Sequence, residues 1–145
     1  MMTMVMKTQL PSTNMACMNE LYIVSYNMHG FNQGIEAVSS LVNGSDSPDV
    51  ILLQEHWLTP ANLFLFGEKI STHYAFGISA MSDCITQGPL VGRPFGGTSI
   101  LIKMNYVQLL NAFFCTDRYV VVKVGNLLIC NFIYHAWALP TVMTL

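Results

Sequence analysis

Two apolar segments that flank one amphipathic segment constrain the fold of this chain more than any other feature. The segment "ELYIVSYN" (20–27) is rich in β-forming residues and is followed by polar residues and glycine, which predicts a buried strand. Residues 33–49 place apolar side chains at helical spacing up to a stop signal at Asn43-Gly44. The segment "DVILLQEHWL" (49–58) has the unbroken apolar character of a parallel strand that is covered on both faces. The sequence therefore predicts a strand–helix–strand unit.

After Pro60 the pattern changes to short strand segments separated by turn signals. The candidates are "HYAFGIS" (73–79), "GTSILIK" (97–103), "VQLLNAFFC" (107–115), "RYVVVKVG" (118–125) and "NLLICNFIY" (126–134). The last two candidates are divided at Gly125-Asn126, which predicts a hairpin with a two-residue turn. This pattern favours a mixed α/β sandwich over a doubly wound sheet.

Polar side chains stand at the ends of both strands of the predicted unit. Asn27 closes the first strand, and Glu55 closes the second. Because the carboxyl ends of neighbouring parallel strands meet at one edge of a sheet, we expect these side chains to lie close together. An amide beside a carboxylate suits Mg²⁺, which takes few protein ligands and keeps several waters. In the alternative interpretation, Asn27 only caps the turn and Glu55 is an exposed strand end.

The composition excludes several classes of protein. Of the 145 residues, 52% are apolar and 10% are charged, which excludes a disordered chain and fits one domain with a core. The net charge of −2 offers no basic stripe, so any nucleic-acid contact must be local. Residues 1–19 lack the basic region of a secretory signal, and we expect an intracellular protein, nuclear or cytoplasmic.

The apolar end of the chain and the cysteines have alternative interpretations. Residues 127–145 carry no charged side chain, but Asn131, His135 and Pro140 argue against a membrane span. The four cysteines are too far apart for a Cys-x-x-Cys pair, so we expect reduced, buried thiols.

Three segments, in this order and spacing, carry a resemblance to a known family. They are "SYNMHG" (25–30), "DVILLQEHWL" (49–58) and "GRPFGGTSILIK" (92–103). Together they resemble the endonuclease/exonuclease/phosphatase family, most closely the endonuclease domain of non-LTR retrotransposons, over about residues 21–133. The resemblance implies a four-layer α/β sandwich, present here as its N-terminal part, with DNA or another phosphodiester as substrate. It also implies hydrolysis assisted by Mg²⁺ or Mn²⁺.

The same resemblance implies roles for individual residues. It makes Asn27 a catalytic residue and metal ligand, Glu55 a metal ligand, and Arg93–Gly97 the glycine-rich entry to a strand. Tyr134 matches the family's catalytic tyrosine only weakly, because "CNFIYHAWALP" (130–140) has one residue too many. We expect a leader at 1–19 that is disordered or frayed, a partial domain at 20–134 and a divergent tail at 135–145.

The later catalytic motifs of the family have no counterpart here. No Asp or Glu follows Asp117, so the carboxylates of the family's Gly-Asp-x-Asn and Ser-Asp-His motifs are missing. His135 stands before the place of the general base, and the simpler interpretation is a strand-end histidine. The chain is therefore expected to be truncated relative to the family and inactive alone.

Side chains near the predicted site each have two interpretations. Arg93 is either a phosphate contact or a loop charge, and Trp57 is either a base-stacking platform or, as we favour, a core aromatic. His56 follows Glu55, and strand alternation sends it to the opposite face, which disfavours a zinc site of His29, Glu55 and His56.

Two function hypotheses follow. In the first, the chain is a nuclease-like enzyme domain that uses Asn27, Glu55 and Mg²⁺. In the second, it is a noncatalytic retrotransposon-derived remnant or interaction module, whose uncovered apolar strands self-associate. A flavodoxin-like ligand binder is disfavoured, because "GRPFGG" does not open a helix. We favour a nuclease-family fragment that is inactive alone.

Overall fold

The computed structural model describes residues 4–8, 20–89, 91–116 and 118–133. The strands are β1 (Met4–Thr8), β2 (Leu21–Asn27), β3 (Val50–Gln54), β4 (His73–Ile78), β5 (Thr98–Lys103), β6 (Leu110–Cys115), β7 (Tyr119–Val124) and β8 (Leu127–Phe132). The α-helices are α1 (Phe31–Val42), α2 (Leu65–Lys69) and α3 (Ser82–Thr86), and short 3₁₀ helices span Pro60–Asn62 and Met104–Leu109. β1 lies within the segment expected to be a leader, and the division into leader, domain and tail stays a prediction.

The strands form two sheets. The larger sheet has the order β1-β2-β3-β5-β4, in which β2 and β3 are parallel and the other neighbours are antiparallel. The smaller sheet has the order β6-β7-β8 and is antiparallel throughout. The strand–helix–strand unit is therefore confirmed, and so is the hairpin that turns at Gly125-Asn126.

Alternating side chains of the larger sheet pack into two separate cores. On β3, Ile51 and Leu53 face the helical layer, where they pack with apolar residues of α1 and α2. Val50 points the other way and packs with Val120 and Val122 of the smaller sheet. The helices therefore cover one face of the larger sheet, and the smaller sheet covers the other. This α/β/β arrangement confirms the predicted mixed α/β sandwich.

Helix α1 begins two residues earlier than the pattern predicts. Its N-cap is Gly30, with φ of 103°, and no side chain caps it. The backbone N–H groups of Gly30 and Phe31 instead donate to the carbonyls of Glu55 and His56, at 2.7 and 2.8 Å. The start of the helix is thus set by the loop that follows β3, and the end lies at Asn43 as predicted.

Two further expectations need correction. β6 begins at Leu110 rather than Val107, because residues 104–109 form a 3₁₀ helix. The thiols of Cys84 and Cys130 are free but exposed, since they lie outside both cores, and Cys115 is half-buried. In the part of the chain that the structure describes, no helix has the length and apolarity needed to cross a membrane.

Candidate functional site

The ends of β2 and β3 place the two predicted site residues at one edge of the larger sheet. The parallel register pairs Asn27 with Gln54, and Glu55 follows directly. The prediction that these strands are parallel neighbours ending together is confirmed. Both Asn27 and Glu55 are half-buried, so each side chain has access to solvent.

Backbone hydrogen bonds join three loops at this edge, residues 27–31, 54–57 and 96–97, which we call the rim. From the first loop, Met28 N–H donates to the Gln54 carbonyl at 2.9 Å, in addition to the two bonds that begin α1. From the second loop, the N–H groups of Glu55 and Trp57 donate to the carbonyls of Gly97 and Gly96, both at 2.9 Å. The loop after β3 is therefore held from both sides.

The backbone of the rim is strained. His29, Glu55 and Trp57 have φ of 50°, 57° and 56°, and they are the non-glycine residues with positive φ in the described ranges. Each such conformation costs on the order of 1–3 kcal/mol and persists only where the surroundings enforce it. The hydrogen bonds of the rim supply that constraint. Strain of this kind clusters at functional sites, which supports the rim as the candidate site.

The side chains of Asn27 and Glu55 are both engaged. Asn27 Oδ1 accepts a hydrogen bond from the backbone N–H of His29 at 3.1 Å, the capping role given by the alternative interpretation. Glu55 Oε2 accepts one from the indole Nε1–H of Trp57 at 3.0 Å. Trp57 is half-buried beside this carboxylate, so the expectation that it is a core aromatic is wrong.

His56 has a structural role beneath the rim. Its side chain has 0% exposure, its Nδ1 accepts from the Leu58 N–H at 3.0 Å, and its Nε2 lies 3.1 Å from the Ile78 carbonyl. These partners require a neutral ring with the proton on Nε2. Burial lowers the pKa of His56 to about 4. His56 is thus buried while Glu55 is half-buried. This difference is set by the loop rather than by the expected strand alternation, because β3 ends at Gln54 and Glu55 has φ of 57°.

A buried amide network below the rim was not predicted. Asn131 on β8 is 2% exposed, and its Nδ2 donates to the carbonyls of Leu53 and Ser99, both at 2.8 Å. Its Oδ1 accepts from Gln54 Nε2 at 2.6 Å. The network joins the smaller sheet to the ends of β3 and β5. The one sequence signal is an amide at an inward position of an otherwise apolar strand.

The roles predicted for Arg93, Tyr134 and His135 stay predictions. Arg93 is exposed in the loop before β5, and no hydrogen bond in the described ranges links it to Asn27 or Glu55. Tyr134 and His135 lie outside the described residues. Among the residues that the structure describes, no group of three or more His, Cys, Asp or Glu side chains is placed to hold a metal ion.

The donor set at the rim nevertheless suits one kind of cation. Asn27 and Glu55 offer an amide oxygen and a carboxylate, which are hard ligands, and Oδ1 of Asn27 keeps one lone pair beside the bond from the His29 N–H. Oε2 of Glu55 is taken by the indole, and no other hydrogen bond within the described part of the chain reaches this carboxylate. One or two such ligands are the usual protein contribution to a Mg²⁺ ion that keeps several waters. The residues present fit Mg²⁺ or Mn²⁺ as a partial site.

Comparisons with known proteins identify the fold. No model of a known protein family matches this chain. No curated protein matches it either. Among solved structures, the chain is similar to the 3′ phosphatase NExo from Neisseria bound to a product DNA hairpin, with 15% identity and a TM-score of 0.54. The match covers 77% of this chain and 40% of that one. The chain has the fold of the endonuclease/exonuclease/phosphatase proteins, and it spans about 40% of the length of this structural neighbour.

Proposed function

We propose that this chain is the N-terminal part of a metal-dependent phosphodiester-cleaving domain, of the retrotransposon endonuclease type, and that it does not cleave DNA alone. The observation that carries the proposal is the rim, where the parallel register of β2 and β3 sets Asn27 beside the strand end that carries Glu55. The motifs "SYNMHG" and "DVILLQEHWL" supply the subtype. The product DNA hairpin bound to the similar phosphatase supports a nucleic-acid substrate. We propose a nuclear or cytoplasmic location for the chain.

Asn27 and Glu55 would hold Mg²⁺ or Mn²⁺, which when bound polarises a phosphate and stabilises its developing charge. Glu55 supplies the negative charge that attracts the cation. Asn27 has an Nδ2–H₂ group that can donate to a phosphate oxygen while its Oδ1 accepts. The strained backbone holds both side chains in place before substrate arrives, which lowers the cost of ordering them.

Among the residues that the structure describes, none is placed to activate water at the rim. His56 is buried and neutral, with both ring nitrogens engaged, so it cannot take a proton at the rim. His29 is exposed at the rim, but no carboxylate orients it in the described ranges. General-base assistance contributes about 10² to 10⁴ in rate, and missing carboxylates remove further charge stabilisation. Asn27 and Glu55, which we call the half-site, therefore bind the cation without turning over substrate.

A second candidate function is self-association through the smaller sheet. Its outer face points away from the larger sheet, and it consists of Phe114, Val121, Leu128, Cys130 and Phe132 together with Ala112, Tyr119 and the exposed Lys123, which lies opposite Leu128. Phe114, Leu128 and Phe132 are 58%, 66% and 63% exposed. At about 100 Å² or more from each, these three side chains expose about 300–400 Å², which is the size of the largest apolar patch on an ordinary monomer, and such patches are often functional. The occupant that we propose is a second copy of this chain.

The test combines cation binding with a nicking assay on supercoiled plasmid DNA. Titration calorimetry with Mn²⁺ should detect one weak site in the wild-type chain and none in Glu55→Ala. Neither protein should nick the plasmid above background with Mg²⁺ or Mn²⁺. Binding that does not depend on Glu55 would reject the half-site. Nicking by the wild type but not by Glu55→Ala would show that a general base outside this account is at work.

A further inference from the structure

We infer that Trp57 is a positioning residue for Glu55. The indole N–H of Trp57 fixes the Glu55 carboxylate, so that one carboxylate oxygen remains for a divalent cation. The inference rests on the proposed function, because it describes how this chain prepares the same half-site. It gives Trp57 a role that neither a core aromatic nor a base-stacking platform would have.

The first observation is the hydrogen bond itself. Nε1 of Trp57 lies 3.0 Å from Oε2 of Glu55. Within the described residues, no other hydrogen bond reaches this carboxylate. A hydrogen bond to a charged oxygen is stronger than a neutral one and fixes the orientation of the acceptor. Partners of this kind commonly orient metal-binding side chains, and their removal costs about 10- to 100-fold in metal affinity.

The second observation is the strained backbone on which the pair is built. Glu55 and Trp57 both adopt the left-handed conformation, with φ of 57° and 56°. Their N–H groups are fixed by the Gly97 and Gly96 carbonyls of the neighbouring loop. A loop that only connected β3 to the next element would have no need of two such residues. Together the two conformations set the carboxylate and the indole within hydrogen-bond distance.

The third observation is the packing of the Trp57 indole against the backbone of Gly30. Gly30 has φ of 103°, and a Cβ atom there would lie 2.7 Å from Cε3 of Trp57. The ring therefore rests against the backbone of the loop that follows Asn27. Through this contact and the hydrogen bond to Glu55, Trp57 links the two halves of the proposed cation site.

The test compares Trp57→Phe with the wild type and Glu55→Gln in the full chain. The free Mn²⁺ signal in electron paramagnetic resonance gives the Kd of each. Phenylalanine keeps an aromatic ring but removes the donor, so we expect Mn²⁺ affinity to fall about 10-fold. Glu55→Gln should abolish binding. Tyr74→Phe, an exposed change on β4, is the matched control and should bind as the wild type does.

A spectroscopic measurement keeps the inference testable if the phenylalanine variant does not fold. The indole N–H cross-peak of Trp57 in the wild type should shift when Mg²⁺ is added, and it should stay fixed in Glu55→Gln. An unmoved peak in a wild type that binds Mn²⁺ through Glu55 overturns the positioning role and leaves the proposed function intact. Unchanged Mn²⁺ affinity in a folded Trp57→Phe does the same. Absence of Glu55-dependent binding in the wild type rejects both.

Discussion

Acidification should destabilise this fold through His56. The side chain is fully buried, and both ring nitrogens are committed to the neutral form by the Leu58 N–H and the Ile78 carbonyl. Burial lowers its pKa from 6.5 to about 4, so the unfolded chain binds a proton more readily than the folded one. The stability that the neutral ring contributes is therefore complete above pH 6.5 and is lost as the pH falls toward 4.

The size of this effect follows from the two pKa values. Each pH unit between 6.5 and about 4 lowers the unfolding free energy by about 1.4 kcal/mol, so about 3 kcal/mol is lost over that range. Burial also lowers the pKa of His73, which adds a loss of the same sign. The difference between the wild type and His56→Gln isolates the contribution of His56, because glutamine does not titrate there.

Urea unfolding followed by circular dichroism, at intervals from pH 7 to pH 4, measures the effect. The wild type should lose about 3 kcal/mol more than His56→Gln between these limits, although the variant starts from a lower stability at pH 7. Parallel pH profiles for the two proteins would refute the assignment of a buried, neutral histidine.

Three further predictions concern packing and association. Asn131→Asp places a carboxylate against two backbone carbonyls. It should lower the unfolding free energy, measured by urea titration, by about 3–5 kcal/mol. A loss below about 1 kcal/mol would contradict the bridging role of Asn131. Gly97→Ala should lower the unfolding free energy by about 2 kcal/mol or more, because φ is 87° and the added Cβ would collide with the His56 ring. The control, Gly67→Ala, has open space around the added Cβ in α2 and should leave the unfolding free energy unchanged or raise it. Light scattering should detect concentration-dependent association of the wild type that Leu128→Lys reduces; a monodisperse wild-type monomer would exclude self-association through the outer face.

The sequence predicted the elements whose signals are local. β2, β3 and the hairpin of β7 and β8 have apolar runs bounded by turn residues, and the structure places them there. The neighbouring ends of β2 and β3, which Asn27 and Glu55 mark, also followed from sequence, because one helix between two strands leaves little choice of topology. These features need no knowledge of distant contacts.

The features that the sequence did not predict depend on such contacts. Helix α1 starts at Phe31 because carbonyls 25 residues away accept its first N–H groups. Trp57 lies at the rim because it bonds to Glu55 and rests against Gly30, and neither contact has a periodic signature. Asn131 satisfies carbonyls on two strands of the other sheet, which becomes visible only when the sheets are stacked.

The most direct test of the half-site is paramagnetic broadening by Mn²⁺ in the ¹⁵N-labelled chain, with Mg²⁺ as the diamagnetic reference. If Asn27 and Glu55 share one cation, substoichiometric Mn²⁺ should broaden the side-chain amide of Asn27 and the backbone peaks of the rim. The side-chain amide of Asn111, which bonds to the Gly125 carbonyl outside the rim, should stay sharp. Glu55→Gln should restore the Asn27 peak. A sharp Asn27 peak in the wild type, or equal broadening in both proteins, would contradict the proposed site.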